Sequence, residues 1–166
     1  MPPEPHYHFV EMTAAALPLM ADWLVQPHLT QWWGDPVAQM ALITDDLPDP
    51  LMDQCIVEYQ GNPIGYVQHY PCHAWGAPHL AHFAPGTLAL DTFVGPADQL
   101  GQGHGAAFLR QRAAELMAQG APAVVIDPDP GNERAVRAYR RAGFVGNLIT
   151  PCEDGTPALV LEFRPG

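Results

Sequence analysis

The alternation of apolar and polar positions divides most of the chain into short elements. "HYHFVEM" (6–12) predicts a first strand. A helix is predicted over 14–25, "AAALPLMADWLV", with Thr13 placed to cap it and Pro18 tolerated only near its first turn. "HLTQWWGDP" (28–36) predicts a short helix ending at Gly34, and the Asp- and Pro-rich stretch 35–53 is expected to be irregular. "QCIVEYQ" (54–60) and "IGYVQHY" (64–70) predict two strands around a hairpin at Gly61-Asn62-Pro63. Residues 71–86, with several prolines and glycines, are expected to form a long loop. "TLALDTFV" (87–94) predicts a strand and 103–120 a helix with Gly120 beyond its end. The short apolar run "AVVID" (123–127) predicts a buried strand, and 132–143 a helix with Asn132 near its N-cap and Gly143 after its last turn. "ALVLEF" (158–163) predicts the last strand. This order, β-α-α-β-β-β-α-β-α-β, mixes hairpins with crossovers and predicts an α+β fold around a mixed sheet. At 166 residues, a single domain over 1–166 is expected.

Composition narrows the function. The chain has 18 acidic residues and 7 basic ones, all arginine, for a net charge of −11. Arg110 is the first arginine, six of the seven lie between Arg110 and Arg141, and eleven of the acids precede Arg110. An acidic chain without a basic stripe argues against a nucleic-acid groove and favours a cationic small-molecule partner. The arginine-rich segment is suited to a polyanion. No apolar run reaches the ~18 residues of a membrane span, and the N-terminus lacks the pattern of a secretory signal. Cys55, Cys72 and Cys152 form no CxxC pair, so neither a disulfide framework nor a standard zinc site is indicated, and a reducing cytoplasm is expected. His69, Cys72, His73, His79 and His82 fall within fourteen residues, but their spacing is not a standard metal motif; no metal is expected, and the segment is expected to be a substrate-side loop.

"DQLGQGHGAAFL" (98–109) places Gly101, Gly103 and Gly105 on alternate positions just where a helix begins. Glycine costs roughly 0.5–1 kcal/mol relative to alanine inside a regular element, so its concentration here points to something that approaches the backbone closely. The stretch is not a Walker loop, which needs Gly-Lys-Ser/Thr, and its GxGxG spacing is not a dinucleotide fingerprint. What remains is an anion site of backbone N–H groups at a helix N-terminus, or a glycine-rich helix entry with no ligand.

Downstream residues favour the first. Asn132, Ala135, Tyr139, Gly143 and Phe144 in "DPDPGNERAVRAYRRAGF" (127–144) resemble the second half of the acetyl-CoA site of the GCN5-related N-acetyltransferases (GNAT family). That family's loop pattern, Arg/Gln-x-x-Gly-x-Gly/Ala, falls on Leu100, Gly103 and Gly105, with Leu100 as a departure. "LTQWWGD" (29–35), "GNPIGYVQHY" (61–70), "LDTFVGPADQLGQGHG" (90–105) and "IDPDPGNERAVRAYRRAGF" (126–144) further resemble the aminoglycoside 6′-N-acetyltransferases of that family. The resemblance implies a mixed central sheet flanked by helices, with splayed strands forming the acetyl-CoA cleft. It implies that the backbone of Phe93 and Val94 pairs with the pantetheine arm, that the N–H groups of Gln102, Gly103, His104, Gly105 and Ala106 hold the pyrophosphate, and that Asn132 holds a pantetheine amide. Arg134 or Arg140 is expected to reach the adenosine phosphate.

The residue types fit amine acetylation. Tyr139 is the candidate acid for the departing thiolate. Asp91 interrupts the apolar strand 87–94 and is the candidate carboxylate that binds the substrate ammonium and takes its proton. Asp127, Glu153 and Asp154 are expected to complete an acidic cleft, since a polycationic acceptor needs several carboxylates. Trp32, Trp33 and Tyr66 are candidates for the face of a sugar ring. Direct transfer needs no acyl carrier, so none is assigned to Cys152. The reading is an acetyl-CoA-dependent aminoglycoside 6′-N-acetyltransferase. Its alternatives are an acyltransferase for a lysine-type siderophore precursor or another small amine, and a silent CoA-binding module.

Overall fold

The computed structural model describes residues 3–165. The chain divides into two compact units, one of residues up to 68 together with 92–105, the other of 69–91 together with the residues from 106 onward. In the first unit, β1 (His8–Glu11) pairs antiparallel with β2 (Asp53–Tyr59), His8 opposite Glu58 and Glu11 opposite Cys55. The hairpin into β3 (Asn62–Pro71) turns at Gln60-Gly61, at φ +52° and +80°, the two positive values that a type I′ hairpin turn requires. Asn62 and Pro63 therefore open the strand instead of forming the turn.

The helices of this unit are α1 (Leu17–Leu24), α2 (Pro27–Trp33) and α3 (Pro36–Asp46). Pro18 sits in the first turn of α1, where its missing N–H costs nothing. Thr13 precedes a 3-10 turn, Ala14–Ala16, and makes no side-chain capping bond. Helix α3 corrects the expectation that 35–53 is irregular. Asp35 accepts the N–H of Ala38 at 2.9 Å and Pro36 fills the first turn, a local start signal inside an otherwise helix-poor stretch. Ile43 is buried, with Met40 and Leu47 packed against the same core. Burial of one such isoleucine contributes about 1.5–3 kcal/mol, enough to outweigh Asp45 and Asp46 at the unfavourable negative end of the helix dipole. Trp23, Trp33, Tyr66 and Phe93 form the aromatic part of that core. Gly95 is fixed by it: a Cβ there would lie 2.2 Å from the Trp23 ring.

In the second unit, the first half of β4 (Leu88–Val94) runs parallel to β5 (Val124–Ile126), Leu88 opposite Val124 and Leu90 opposite Ile126. The ladder ends there, although β4 continues to Val94. It ends because all three residues of β5 are already paired, which leaves residues 91–94 of β4 without a β5 partner. β6 (Phe144–Pro151) and β7 (Pro157–Phe163) pair antiparallel, and β7 also pairs antiparallel with β5. Strand β6 is a second correction, since no strand is expected over 144–151. Its register shifts between Val145 and Leu148, and Val145, Leu148 and Ile149 are exposed, so no clean apolar alternation marks it. Helices α4 (His104–Ala118) and α5 (Glu133–Ala142) match expectation, with Gly143 after α5 in the left-handed region. Segment 71–86 is a loop apart from a 3-10 turn at Pro78–Leu80, anchored by buried Cys72 and Leu80 in a core with Ala89, Val125 and Val160. Over both units the strand order is β1-β2-β3-β4-β5-β7-β6, a seven-stranded mixed sheet among the described residues.

Candidate active site

Two constructions carry chemistry, one made of backbone and one of side chains. The first is the loop before α4. Gly101 and Gly103 adopt φ +75° and +84°, and a Cβ at either position would meet nothing within 4 Å, so the main chain there is strained for any other residue yet open to an approaching group. The first-turn N–H groups of α4 have no intrahelical acceptor and lie at the positive end of the helix dipole. Such an arrangement fits a diphosphate.

His104 ties this loop to its own unit. Tyr7 Oη lies 2.9 Å from His104 Nδ1, and the Tyr59 ring stands 4.9 Å from the imidazole. Burial and Tyr59 push the Tyr7 phenol up to about 12, and burial lowers the pKa of His104. At neutral pH Tyr7 therefore donates and a neutral imidazole accepts, so the loop's attraction for anions comes from main-chain amides. Gln102 closes the loop from the other side, donating to the Asp98 carbonyl at 2.8 Å. No local pattern marks the Tyr7–His104 anchor, which joins residues 97 positions apart. At the end of β4, His28 Nε2 lies 2.9 Å from the Val94 carbonyl, which is thus already engaged, and the Phe93 ring is buried in the aromatic core.

The second construction is a pocket in the other unit. Asp91 is the first residue of β4 beyond the parallel ladder, and Asp127 directly follows β5. Both carboxylates therefore stand just beyond the end of the β4–β5 ladder, Asp91 midway along β4 and Asp127 at the C-terminal end of β5. Glu153, two residues past β6, joins them, with Tyr70, Trp75 and His79 among the other lining residues. No arginine is among them in the described residues. The pocket holds about 140 Å³, below the ~300–1,000 Å³ usual for drug-sized ligands, so it takes one end of a larger molecule.

Its electrostatics are consistent from group to group. The Tyr70 phenol is raised far above its usual range, most by the Asp91 carboxylate, then by burial, Asp127 and Glu153, and it hydrogen-bonds Asp91. The Tyr139 phenol is raised by burial and by Asp91 and Asp127. The Cys152 thiol is raised by burial first, then by Asp127, Glu153 and Asp154 against a lowering bond from Thr156. Three separate groups thus report one negative field, which favours a cation. Burial raises the Asp127 carboxyl, opposed by His79, whose Nε2 lies 2.6 Å from Asp127 Oδ2.

Other expected residues take different places. Tyr66 is fully buried, with its hydroxyl donating to Gln68, and Trp33 packs edge-on to Phe93 at 5.1 Å. Tyr66 offers no free face, which corrects the expectation for it, whereas Trp33 is half-buried and packs against the same core. Trp32 is 40% exposed but does not line the pocket. The aromatic wall is instead Tyr70 against Trp75, centroids 5.0 Å apart, with Trp75 51% exposed. Sequence reasoning missed this pair because Trp75 sits in a loop without periodicity. Asp154 lies outside the pocket lining and accepts the N–H and hydroxyl of Thr156 at 3.0 and 2.7 Å, which lowers its pKa. Asn132 Oδ1 accepts the N–H of Ala135 at 3.3 Å and caps α5, leaving its amide NH2 for a ligand.

Known proteins match this chain along most of its length. Residues 13–148 match the family model described as acetyltransferase (GNAT) domain. Aminoglycoside N(6′)-acetyltransferase type 1 of Klebsiella pneumoniae is 32% identical over 165 residues, covering 92% of this chain and 81% of that protein, and the Serratia marcescens protein of the same name gives the same figures. Among solved structures, AAC(6′)-Ib in complex with ribostamycin and coenzyme A superposes with a TM-score of 0.83 at 27% identity, covering 95% of this chain and 93% of that one. Parallel strands β4 and β5, a glycine loop opening α4 and an asparagine-capped α5 thus accompany similarity over nearly the whole chain, and the protein belongs to the GNAT family of acetyltransferases.

Proposed function

We propose that the protein transfers the acetyl group of acetyl-CoA to the 6′-amine of an aminoglycoside. The observation that carries this reading is the gathering of Asp91, Asp127 and Glu153 in one pocket of a chain 32% identical to enzymes named for that reaction. Acetyl-CoA, when bound, supplies an activated thioester with a thiol leaving group. The main-chain amides from Gln102 to Ala106 hold its diphosphate, and the amide NH2 of Asn132 holds the pantetheine arm. Arg140 donates to the Gly146 carbonyl at 3.1 Å, which leaves Arg134 for the adenosine phosphate.

On the acceptor side, the three carboxylates bind an aminated ring end as its ammonium, and Tyr70 with Trp75 packs against the ring. The amine must lose its proton before it can attack. Asp91 orients the nitrogen and receives that proton, directly or through water. An ordinary carboxyl is a weak base for an amine, so binding and orientation contribute the larger share. Tyr139, neutral throughout the physiological range, donates a hydrogen bond to the departing sulfur. With a phenol above 10 and a thiol near 8.5, full proton transfer is uphill by at least about 2 kcal/mol, so the hydrogen bond is the larger part of its role.

Acetylation of kanamycin, followed by thiol release and by NMR of the product, tests the reading. The expected result is turnover with acetyl-CoA and a single acetamide at the 6′-nitrogen. CoA binding without turnover of any aminoglycoside, or turnover confined to long-chain acyl donors, overturns it.

A further inference from the structure

The same unit holds a group of side chains that acetyl transfer does not use as a set. An imidazole nitrogen of His79, the Cys152 sulfur and a Glu153 carboxylate oxygen all lie within 4.8 Å of one another. These come from two separate segments, the 3-10 turn Pro78–Leu80 and the start of the 152–156 turn. The His79 side chain is only 3% exposed, its Nε2 is engaged by Asp127 at 2.6 Å, and its Nδ1 has no hydrogen-bond partner among the described residues.

A buried nitrogen left without a partner costs free energy, on the order of 1–3 kcal/mol, unless something occupies it. A histidine whose far nitrogen is held by a carboxylate is the arrangement that orients imidazole toward a metal, fixing its tautomer and raising its basicity. Sulfur, nitrogen and oxygen donors together suit a borderline-soft divalent ion such as zinc, with a fourth position open. Metal–ligand bonds of ~2.0–2.3 Å require the three donors to draw together, and two of them lie on a surface turn able to adjust. Residues 73 positions apart cannot be recognised as one ligand set by spacing, which is why the sequence gives no metal motif.

We propose that His79, Cys152 and Glu153 bind one soft divalent metal ion, with His79 Nδ1 as the ligand nitrogen because Asp127 engages Nε2, so that the ion staples the 152–156 turn to the 78–80 turn. Binding forms a metal–sulfur bond and releases the Cys152 thiol proton to solvent. Its ligands line the pocket that the acceptor reading uses and include Glu153, so a bound ion competes there with the acceptor's ammonium.

Cobalt(II) titration of the whole, metal-stripped protein without acetyl-CoA or acceptor tests the proposal. The expected result is a thiolate-to-cobalt charge-transfer band saturating at one equivalent and displaced by zinc. Cys152→Ser abolishes the band, and Glu153→Gln, an exposed position where folding is not at risk, weakens zinc about tenfold or more, in line with the loss of one ligand-shell group. Zinc at about a hundredfold excess over its Kd raises the melting temperature by about 5 °C in the native chain and not in Cys152→Ser. Absence of the band, or a band unchanged in Cys152→Ser, overturns the proposal. Because no acetylation is measured, failure here leaves the aminoglycoside reading standing, and failure of that reading leaves this one.

Discussion

The loop before α4 and the pocket beyond the β4–β5 ladder both prepare for a charged ligand, by opposite means. The loop uses main-chain amides, two glycines at positive φ and a helix dipole, with its one imidazole kept toward the neutral form by burial and hydrogen-bonded to Tyr7. The pocket uses side chains: Asp91 from the middle of β4, Asp127 just after β5 and Glu153 in the turn after β6 act together on Tyr70. A backbone site tolerates changes of side chain and fails when its dihedral angles change. A side-chain site tolerates local backbone variation and fails when one functional group is lost.

The comparison is broken most severely at Asp91. Asp91→Asn keeps the shape of the pocket and removes a charge, and a loss of about 10²-fold or more in kcat/KM is expected, within the range for a general base. A loss below threefold removes Asp91 from the chemistry. Tyr139→Phe is expected to lower kcat by about 10-fold or more, also within what a positioned proton donor contributes. The raised phenol adds a pH test. A tyrosine whose folded pKa is raised contributes stability that is present below its unfolded pKa near 10 and is lost only as pH rises through the higher folded value. The ratio of native to Tyr139→Phe rates should therefore stay flat from about pH 6 to pH 9, and a ratio that falls within that window contradicts the assignment.

Gly103→Ala probes the loop. It imposes a side chain at φ +84°, costing about 1–2 kcal/mol, and should weaken coenzyme A binding in calorimetry by about 5- to 30-fold while leaving the acceptor KM unchanged. A change confined to the acceptor KM would assign that glycine to the wrong ligand. Trp75→Ala should raise the acceptor KM by about 2- to 10-fold, the scale of one aromatic contact, whereas Trp32→Ala should not. The smallest effect is expected at Asn132. Asn132→Ala should cost about 1 kcal/mol of stability through the lost cap, and Asn132→Asp should restore stability without restoring coenzyme affinity. Equal recovery of both leaves Asn132 as a cap only.

What was legible follows the same division. The glycine loop and the Asn132-to-Phe144 segment are contiguous, and their residue types are dictated locally by dihedral angles and capping, so they could be read directly. Asp91 stood out as a carboxylate in an apolar strand. Tyr66 was misread because an aromatic residue has the same appearance in a core as on a binding face, and only its packing against Phe93 distinguishes the two. Helix α3 was missed because its Asp and Pro content outweighed an Asp35-Pro36 start signal, and β6 because a bulged strand with exposed apolar residues lacks the period-two signature.

The sequence by itself determined the element types along most of the chain, the glycine-rich helix entry, the α5 cap and the acidic balance, because each depends on neighbours within a few positions. The tertiary structure alone decided which carboxylates share a pocket, that Tyr70 and Trp75 form its wall, that Tyr7 holds His104, and that His79 meets Asp127 and Cys152. Those pairings depend on which segments the fold of each unit brings side by side, and that follows from burying each unit's core, which no local pattern encodes.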